Sequence, residues 1–279
     1  MATTMEEEES HELLAMEMVT ASVAPMVLKA AVELHVFDII AEAGAGACLS
    51  THDIVSRLPT QNPDAPRLLD CMMRLLVSHS LLTCTVLSHD HKLYHLAPAS
   101  KLLIKNKDGA SFAPYVQVLM HQSIINSWYY LKESILDGGG SPFYKAHGMI
   151  VEDYLGKNPK LGVEFVAGDM LTSIPDAILM KHITHNCDDE DFLKLLKNCY
   201  KALPDYGKVI VVDLISPTYP ETNVASKFIL QMEMSCLNPT GKERPKEQFT
   251  ALAREAGFAG IAVACCAYLY SVIEFHKLM

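Results

Sequence analysis

The stretch Asp176-Ala-Ile-Leu-Met-Lys-His-Ile-Thr-His185-Asn-Cys-Asp-Asp-Glu-Asp191 decides the fold. It begins as a short apolar run typical of a buried strand. It then passes through a polar turn into residues 192–203, whose apolar positions recur at helical spacing. A strand, a turn and a helix in this order are typical of an α/β sheet, which places ligands at the carboxyl ends of its strands. Because His185 lies at such an end, we consider it a candidate general base.

The α/β pattern continues to the end of the chain. Residues 208–213 are rich in Val and Ile and predict a buried strand. Residues 163–166 predict another short strand, and the pair 261–265 and 270–275 predicts an antiparallel edge hairpin. We therefore interpret residues 161–279 as an α/β domain.

The first half of the chain predicts helices followed by a β-ribbon, which is the order of a winged helix. Helical spacing covers residues 12–43 and 63–79, and the ribbon covers 81–96. A winged helix suggests DNA binding, and a DNA-recognition helix needs exposed donors for bases and phosphates. The second helix carries only Arg67 and Arg74 as cations, which disfavours DNA binding. We therefore interpret residues 1–105 as a helical, winged-helix-like dimerisation domain, and residues 106–160 as a helical connecting segment, to which the family resemblance of the motifs below adds the role of a substrate-pocket segment.

Composition excludes several classes of partner. The 279 residues carry a net charge of −10, which opposes binding to nucleic acid or an anionic membrane. No apolar run reaches the roughly 20 residues that span a bilayer, and the first residues lack the features of a signal peptide. The eight cysteines form no Cys-x-x-Cys pair, so a zinc site has no support. We expect a cytoplasmic protein without a metal.

Several motifs resemble those of one enzyme family. They are Ala97–Lys101, Asp137–Gly139, Pro142–Gly148, Gly168–Met170, Met180–Lys181, Leu196–Tyr200, Leu203–Val211, Asn238–Arg244 and Ala256–Phe258. Through nearly its whole length the chain resembles plant S-adenosylmethionine-dependent O-methyltransferases of the caffeic acid type. That family methylates phenolic hydroxyls on small aromatic metabolites. The resemblance implies a Rossmann-like methyltransferase domain behind a dimerisation domain, and therefore a homodimer.

The resemblance also implies catalytic residues. A phenol with an unperturbed pKa of about 10 needs a base to take its proton as it attacks a methyl group. His185 matches the position of that base, and Asp213 and Glu243 match two acidic positions beside it. The chain departs from the family pattern here, since Asp213 replaces a Glu, Asn186 an Asp and Cys187 a Trp.

Further residues match family contacts to the donor and the substrate. The implied S-adenosylmethionine contacts are Asp169, Met170 and Lys181, and the implied aromatic-substrate contacts are Met120, His121, Met234 and Asn238. A methionine thioether suits a flat phenyl ring because it is adaptable and polarisable. Without the resemblance, Met120 and Met234 are also compatible with ordinary core packing.

One part of the family pattern is missing. The family holds its donor with a strand, a Gly-rich loop that opens a helix, and an acidic residue that ends the next strand. Here residues 158–160 match the segment before that unit, residues 162–165 match the segment after it, and no Gly-x-Gly-x-x-Gly follows a predicted strand. We estimate the gap at roughly 70–80 residues.

Two hypotheses follow from this gap. The first is an O-methyltransferase acting on phenylpropanoid or flavonoid hydroxyls, with a rebuilt donor site in a truncated Rossmann-like domain. The second is a catalytically inactive, shortened family member that retains only the dimerisation half.

Overall fold

The computed structural model describes residues 5–88, 91–107, 109–158, 170–174, 176–235 and 241–278. They form two units, residues 1–122 and 123–279. The sequence predicts three segments, and the structure divides the middle one between the two units. The reason is that the helix Ala113–Leu119 packs against the helix Val23–Glu33 of the first unit.

The first unit is helical with one β-ribbon. Its elements are α1 (Met5–Thr20), α2 (Val23–Glu33), α3 (Val36–Glu42), α4 (Thr51–Val55), α5 (Ala65–Ser78), β1 (Leu82–Ser88), β2 (His91–Leu96) and α6 (Ala113–Leu119). A capping box formed by Ser50 and Asp53 begins α4, and the side chain of each residue accepts a hydrogen bond from the backbone N–H of the other. Phe37, Met73 and Tyr94 are buried in the core that joins these helices to the ribbon.

The helices α1 and α2 expose many large apolar side chains. Those at least 47% exposed are Leu13, Leu14, Met16, Met18, Val19, Val23 and Met26. No single described helix is long and apolar enough to cross a membrane, and one bent pair, His11–Thr20 with Val23–Glu33, passes by length and composition alone. Contiguous exposed apolar surface of this kind marks an interaction site.

The second unit combines short helices with a mixed sheet. Its helices are α7 (Gln122–Trp128), α8 (Leu131–Asp137), α9 (Pro142–His147), α10 (Val151–Lys157), α11 (Asp189–Ala202), α12 (Val224–Ser235) and α13 (Lys246–Glu255). Its strands are β3 (Met170–Ile174), β4 (Ala177–Lys181), β5 (Lys208–Asp213), β6 (Gly260–Ala267) and β7 (Tyr270–His276). The glycines after α8 end that helix, and Gly138 there has φ +62°.

The sheet has the order β3-β4-β5-β7-β6. Strands β4 and β5 are parallel, so their carboxyl ends lie at the same edge of the sheet. The predicted tail hairpin is present, but of its two strands only β6 lies at an edge of the sheet, because β7 pairs with both β5 and β6. The helices α11 and α13 pack against each other, and their buried Phe192 and Phe249 share a core with Val211 and Phe275 of the sheet.

Strand β3 is not expected from the sequence. It pairs antiparallel with β4, from Met170 opposite Lys181 to Ile174 opposite Ala177. Sequence predicts instead a strand at 163–166, which lies outside the described residues. Strand β4 needs partners for the backbone groups on the side away from β5, and this hairpin supplies them. Among the strands that the structure describes, β4 and β5 therefore form the single parallel pair.

Candidate active site

The loop between β4 and α11 carries the predicted base. His182 follows β4 in a left-handed conformation with φ +56°, and its backbone N–H donates to the Val212 carbonyl at 3.2 Å. His185 lies in a short 3-10 turn, Thr184–Asn186. Asp188 then caps α11 by accepting from the Asp191 N–H at 2.8 Å. A strand end and a capped helix thus fix the two ends of this loop, which we call the base loop (residues 182–188).

Asp213 holds His185 from the neighbouring strand. It is the last residue of β5 and is fully buried. One carboxylate oxygen, Oδ1, lies 3.3 Å from His185 Nδ1 and accepts from the Leu214 N–H at 3.2 Å. The other, Oδ2, accepts from the Thr184 N–H at 3.1 Å and from its hydroxyl at 2.6 Å. The parallel pairing of β4 and β5 brings these residues together, although 28 positions separate His185 from Asp213.

The charge of Asp213 follows from these contacts. Burial by itself raises the pKa of its carboxyl, but the hydrogen bond and charge of His185 and the Thr184 hydroxyl outweigh burial. The pKa therefore lies below its ordinary value. An ionised Asp213 places the imidazole proton on Nδ1, an assignment that follows from this hydrogen bond. Nε2 is then the nitrogen that can take a proton.

Glu243 is the second carboxylate beside the base. Its Oε1 lies 3.8 Å from His185 Nδ1, and the residue is buried. A parallel bridge between Ile215 and Arg244 positions it, with the Ser216 N–H donating to the Arg244 carbonyl at 2.9 Å. Burial first, and then the negative charge of Asp213, raise the pKa of Glu243 to about 7. The site therefore holds one carboxylate that is ionised and one that titrates near neutrality.

His182 is a site residue that the sequence analysis missed. Its ring packs on Tyr270 at 4.6 Å between centroids and meets His185 edge-on at 5.5 Å. Burial lowers the pKa of His182 to about 4, so its imidazole is neutral at pH 7. Its position one residue beyond the end of β4 was the available signal.

Three of these side chains could also hold a metal ion. Ligand atoms of His182, His185 and Asp213 lie within 4.8 Å of one another. However, both Asp213 oxygens already accept hydrogen bonds from Thr184, Leu214 and His185. The contacts therefore suit a carboxylate that orients an imidazole better than one that coordinates a cation.

The remaining predicted residues are not all brought to this site. Lys181 ends β4 and Met170 begins β3, and the two are register partners at the sheet end that carries the base loop. Asp169 and Asn238 lie outside the described residues. Met234 lies in α12 and is 53% exposed.

Met120 and His121 belong to the first unit, at the end of α6. Their roles at the substrate stay predictions, as do the roles of all the residues carried over from the family.

The fold and the site together define an α/β protein in which an imidazole after one of two parallel strands contacts the buried carboxylate that ends the other. Profiles of two families match it: the O-methyltransferase dimerisation domain at residues 16–106 and the O-methyltransferase domain at residues 151–259. The chain is 39% identical to caffeic acid 3-O-methyltransferase 1 of Populus tremuloides, with 99% of this chain and 96% of that relative covered. It is 38% identical to caffeic acid 3-O-methyltransferase of Eucalyptus gunnii, with 99% and 97% covered. The chain belongs to this family of plant O-methyltransferases.

Solved structures agree with the fold. Human N-acetylserotonin methyltransferase, solved in complex with SAM, superposes with a TM-score of 0.75 at 14% identity, covering 99% of this chain and all of that one. A methyltransferase of calicheamicin biosynthesis in its SAH-bound form gives the same TM-score, identity and coverage. At these identities the likeness concerns the fold alone.

The alignment to the Populus relative supports the predicted gap. It runs over 354 positions, and this chain has 279 residues, so at least 75 aligned positions have no counterpart here. That number agrees with the 70–80 residues expected to be missing between residues 158 and 162.

The family implies S-adenosylmethionine as the methyl donor. The residues present match only part of the family's binding site for it. Lys181 and the backbone of Met170 lie at the end of the sheet where the donor is expected. However, within the described part of the second unit no glycine-rich loop follows a strand and opens a helix. α11, which follows β4, instead begins with Asp189, Glu190 and Asp191 in its first turn. These residues do not reproduce the family's donor cradle.

Proposed function

We propose that this chain is an S-adenosylmethionine-dependent O-methyltransferase that acts on phenolic hydroxyls of small plant metabolites, of the phenylpropanoid or flavonoid type. The observation that carries the proposal is His185, held by the buried Asp213 and flanked by Glu243 at the carboxyl ends of β4 and β5. The names of the plant relatives, which are caffeic acid 3-O-methyltransferases, support the class of substrate.

The site residues supply the proton chemistry that a phenol requires. His185 accepts the phenolic proton at Nε2, because its Nδ1 proton is directed to Asp213. The ionised Asp213 stabilises the imidazolium that results, and it costs no reorganisation because Thr184 and Leu214 already fix its oxygens. Glu243 adds a second acidic group whose charge changes near neutral pH.

A second candidate function is a family member without transfer activity that serves through its dimerisation half. The specific observation in its favour is the set of at least 75 unmatched positions. In this case the base loop and its carboxylates persist as a folded remnant of the site.

Donor binding separates the two candidates. Calorimetric titration of purified protein with S-adenosylmethionine gives saturable binding if the chain is an enzyme. Transfer of a labelled methyl group to caffeic acid and to a panel of flavonoids then identifies the substrate. The matched variant His185→Gln keeps donor binding and loses transfer. Protein that neither binds the donor nor transfers methyl groups would establish the second candidate instead.

We also propose that two copies assemble through the first unit. The exposed apolar side chains of α1 and α2 support this assembly, as does the match to a dimerisation domain at residues 16–106. An obligate interface of this kind buries about 2,000 Å² or more.

A further inference from the structure

We propose that Arg244 is a positioning residue that holds the base loop and thereby sets the orientation of His185. The proposal rests on the proposed function only in that His185 acts as the base. Arg244 touches neither the phenol nor the donor in this scheme, so its effect passes through the residues that it binds.

The Arg244 guanidinium spans the two ends of the turn that carries His185. Its Nη1 donates to the Thr184 carbonyl at 2.5 Å, and its Nη2 donates to the Cys187 carbonyl at 2.7 Å. These two carbonyls bracket His185 and Asn186. Because the guanidinium is planar and rigid, two bonds from one group fix the distance between the carbonyls as well as their direction.

The other contacts of Arg244 anchor the guanidinium itself. The residue is fully buried, its Nε donates to Asp189 Oδ1 at 3.0 Å, and its charge lies 4.9 Å from the centroid of the Phe192 ring. Asp189 and Phe192 both belong to α11. The guanidinium thus joins the base loop to the helix that follows it.

The base loop needs such an external contact. Its 3-10 turn is three residues long, and its own backbone bonds, Asn186 N–H to the Ile183 carbonyl at 3.1 Å and Cys187 N–H to the Thr184 carbonyl at 3.4 Å, are few. Short 3-10 turns have poorer hydrogen-bond geometry than α-helices. Arg244 therefore supplies contacts that the turn cannot provide internally.

Arg244 also connects the base to Glu243. The two residues are adjacent in the chain, and the backbone of Arg244 is fixed to Ile215 and Ser216 at the end of β5. Anchoring Arg244 consequently fixes the Glu243 carboxylate at 3.8 Å from His185 Nδ1. The Arg244 side chain thus links the base loop to Glu243, although the two are separated by more than fifty positions in the sequence.

The test compares Arg244→Lys with Arg254→Lys, the same change at an exposed arginine of α13. Lysine keeps the charge, but its single nitrogen cannot reproduce the planar fork that bonds both carbonyls. We expect kcat to fall about 10- to 100-fold with KM for the phenol nearly unchanged, as when a catalytic group is misplaced by about 1 Å. Arg254 is exposed in the last turn of α13, so Arg254→Lys should leave kcat within a few-fold of the wild-type value.

A second readout does not depend on activity. Nitrogen NMR of the His185 imidazole should report the Nδ1–H form in the wild-type protein and in Arg254→Lys, and we expect a mixture of tautomers in Arg244→Lys. Wild-type kcat and a wild-type His185 spectrum in Arg244→Lys would overturn the proposal. If the wild-type protein transfers no methyl groups, the NMR comparison still tests Arg244, and only the proposed function fails.

Folding is checked by thermal unfolding of each variant. If Arg244→Lys unfolds below the assay temperature, Phe192→Leu replaces it, because this variant keeps the guanidinium but removes the ring beneath it. A smaller loss of kcat and the same tautomer mixture are then expected. An unchanged His185 spectrum in Phe192→Leu, with wild-type kcat, would contradict the proposal equally.

Discussion

Replacing Asp213 by Asn tests whether the buried carboxylate both orients the base and stabilises the loop. Each Asp213 oxygen accepts one backbone N–H, from Leu214 on Oδ1 and from Thr184 on Oδ2. An amide has only one acceptor oxygen, so its NH₂ group must face one of these two N–H groups whichever way it turns. A buried donor is therefore left without an acceptor in either orientation.

The expected loss of stability follows from this one buried N–H without an acceptor. One unsatisfied buried N–H costs about 1–3 kcal/mol, which corresponds to a fall of roughly 2–12 °C in the unfolding temperature of the second unit, residues 123–279. If the NH₂ group faces His185, the imidazole proton moves to Nε2 and the ring can no longer act as a base there. If it faces Thr184 instead, the imidazolium loses its negative partner. In either case turnover should fall by about 10²–10⁴.

Two measurements check this prediction: thermal unfolding by calorimetry, and methyl transfer at saturating donor and phenol. The matched control is Asp205→Asn, since Asp205 is 80% exposed and the same chemical change there should alter stability by less than about 0.5 kcal/mol. If Asp213→Asn unfolds at the wild-type temperature and retains full turnover, the assignment of Asp213 is refuted.

Three further predictions concern the base, the second carboxylate and the assembly. His185→Gln should lower turnover by about 10²–10⁴ while leaving calorimetric S-adenosylmethionine binding intact, and near-full turnover would remove His185 from the mechanism. Because the pKa of Glu243 rises from 4.5 to about 7 on folding, the folded state binds more protons between those values. The unfolding free energy should therefore fall by up to about 3 kcal/mol as pH rises through that window, and urea titrations of Glu243→Gln should lack this fall. Light scattering at micromolar concentration should give twice the chain mass of 30.8 kDa, and a monomer mass would exclude assembly through α1 and α2.

Local patterns were sufficient to predict much of the fold. The buried strand before the base loop, the helix after it and the tail hairpin all follow from apolar periodicity. These features depend on residues within a few positions of one another, and the sequence displays that information directly. The position of His185 at a strand end was predictable for the same reason.

Long-range pairing is what the sequence could not provide. Strand β3 pairs with backbone groups of β4 on the side away from β5. No pattern within Met170–Ile174 indicates that β4 offers these groups. Likewise, the resemblance placed Asp213 and Glu243 beside the base by analogy, and only the fold supplied their distances to it.

His182 and Arg244 belonged to no predicted site at all. Their roles depend on a ring contact with Tyr270 and on two carbonyls about sixty residues from Arg244 in the sequence. Periodicity fixes which face of an element is apolar, whereas the partner that meets a polar side chain is chosen by how the elements pack. For this protein the sequence by itself determined most of the elements, the family and the position of the candidate base, and the tertiary structure decided which charges and carbonyls surround His185.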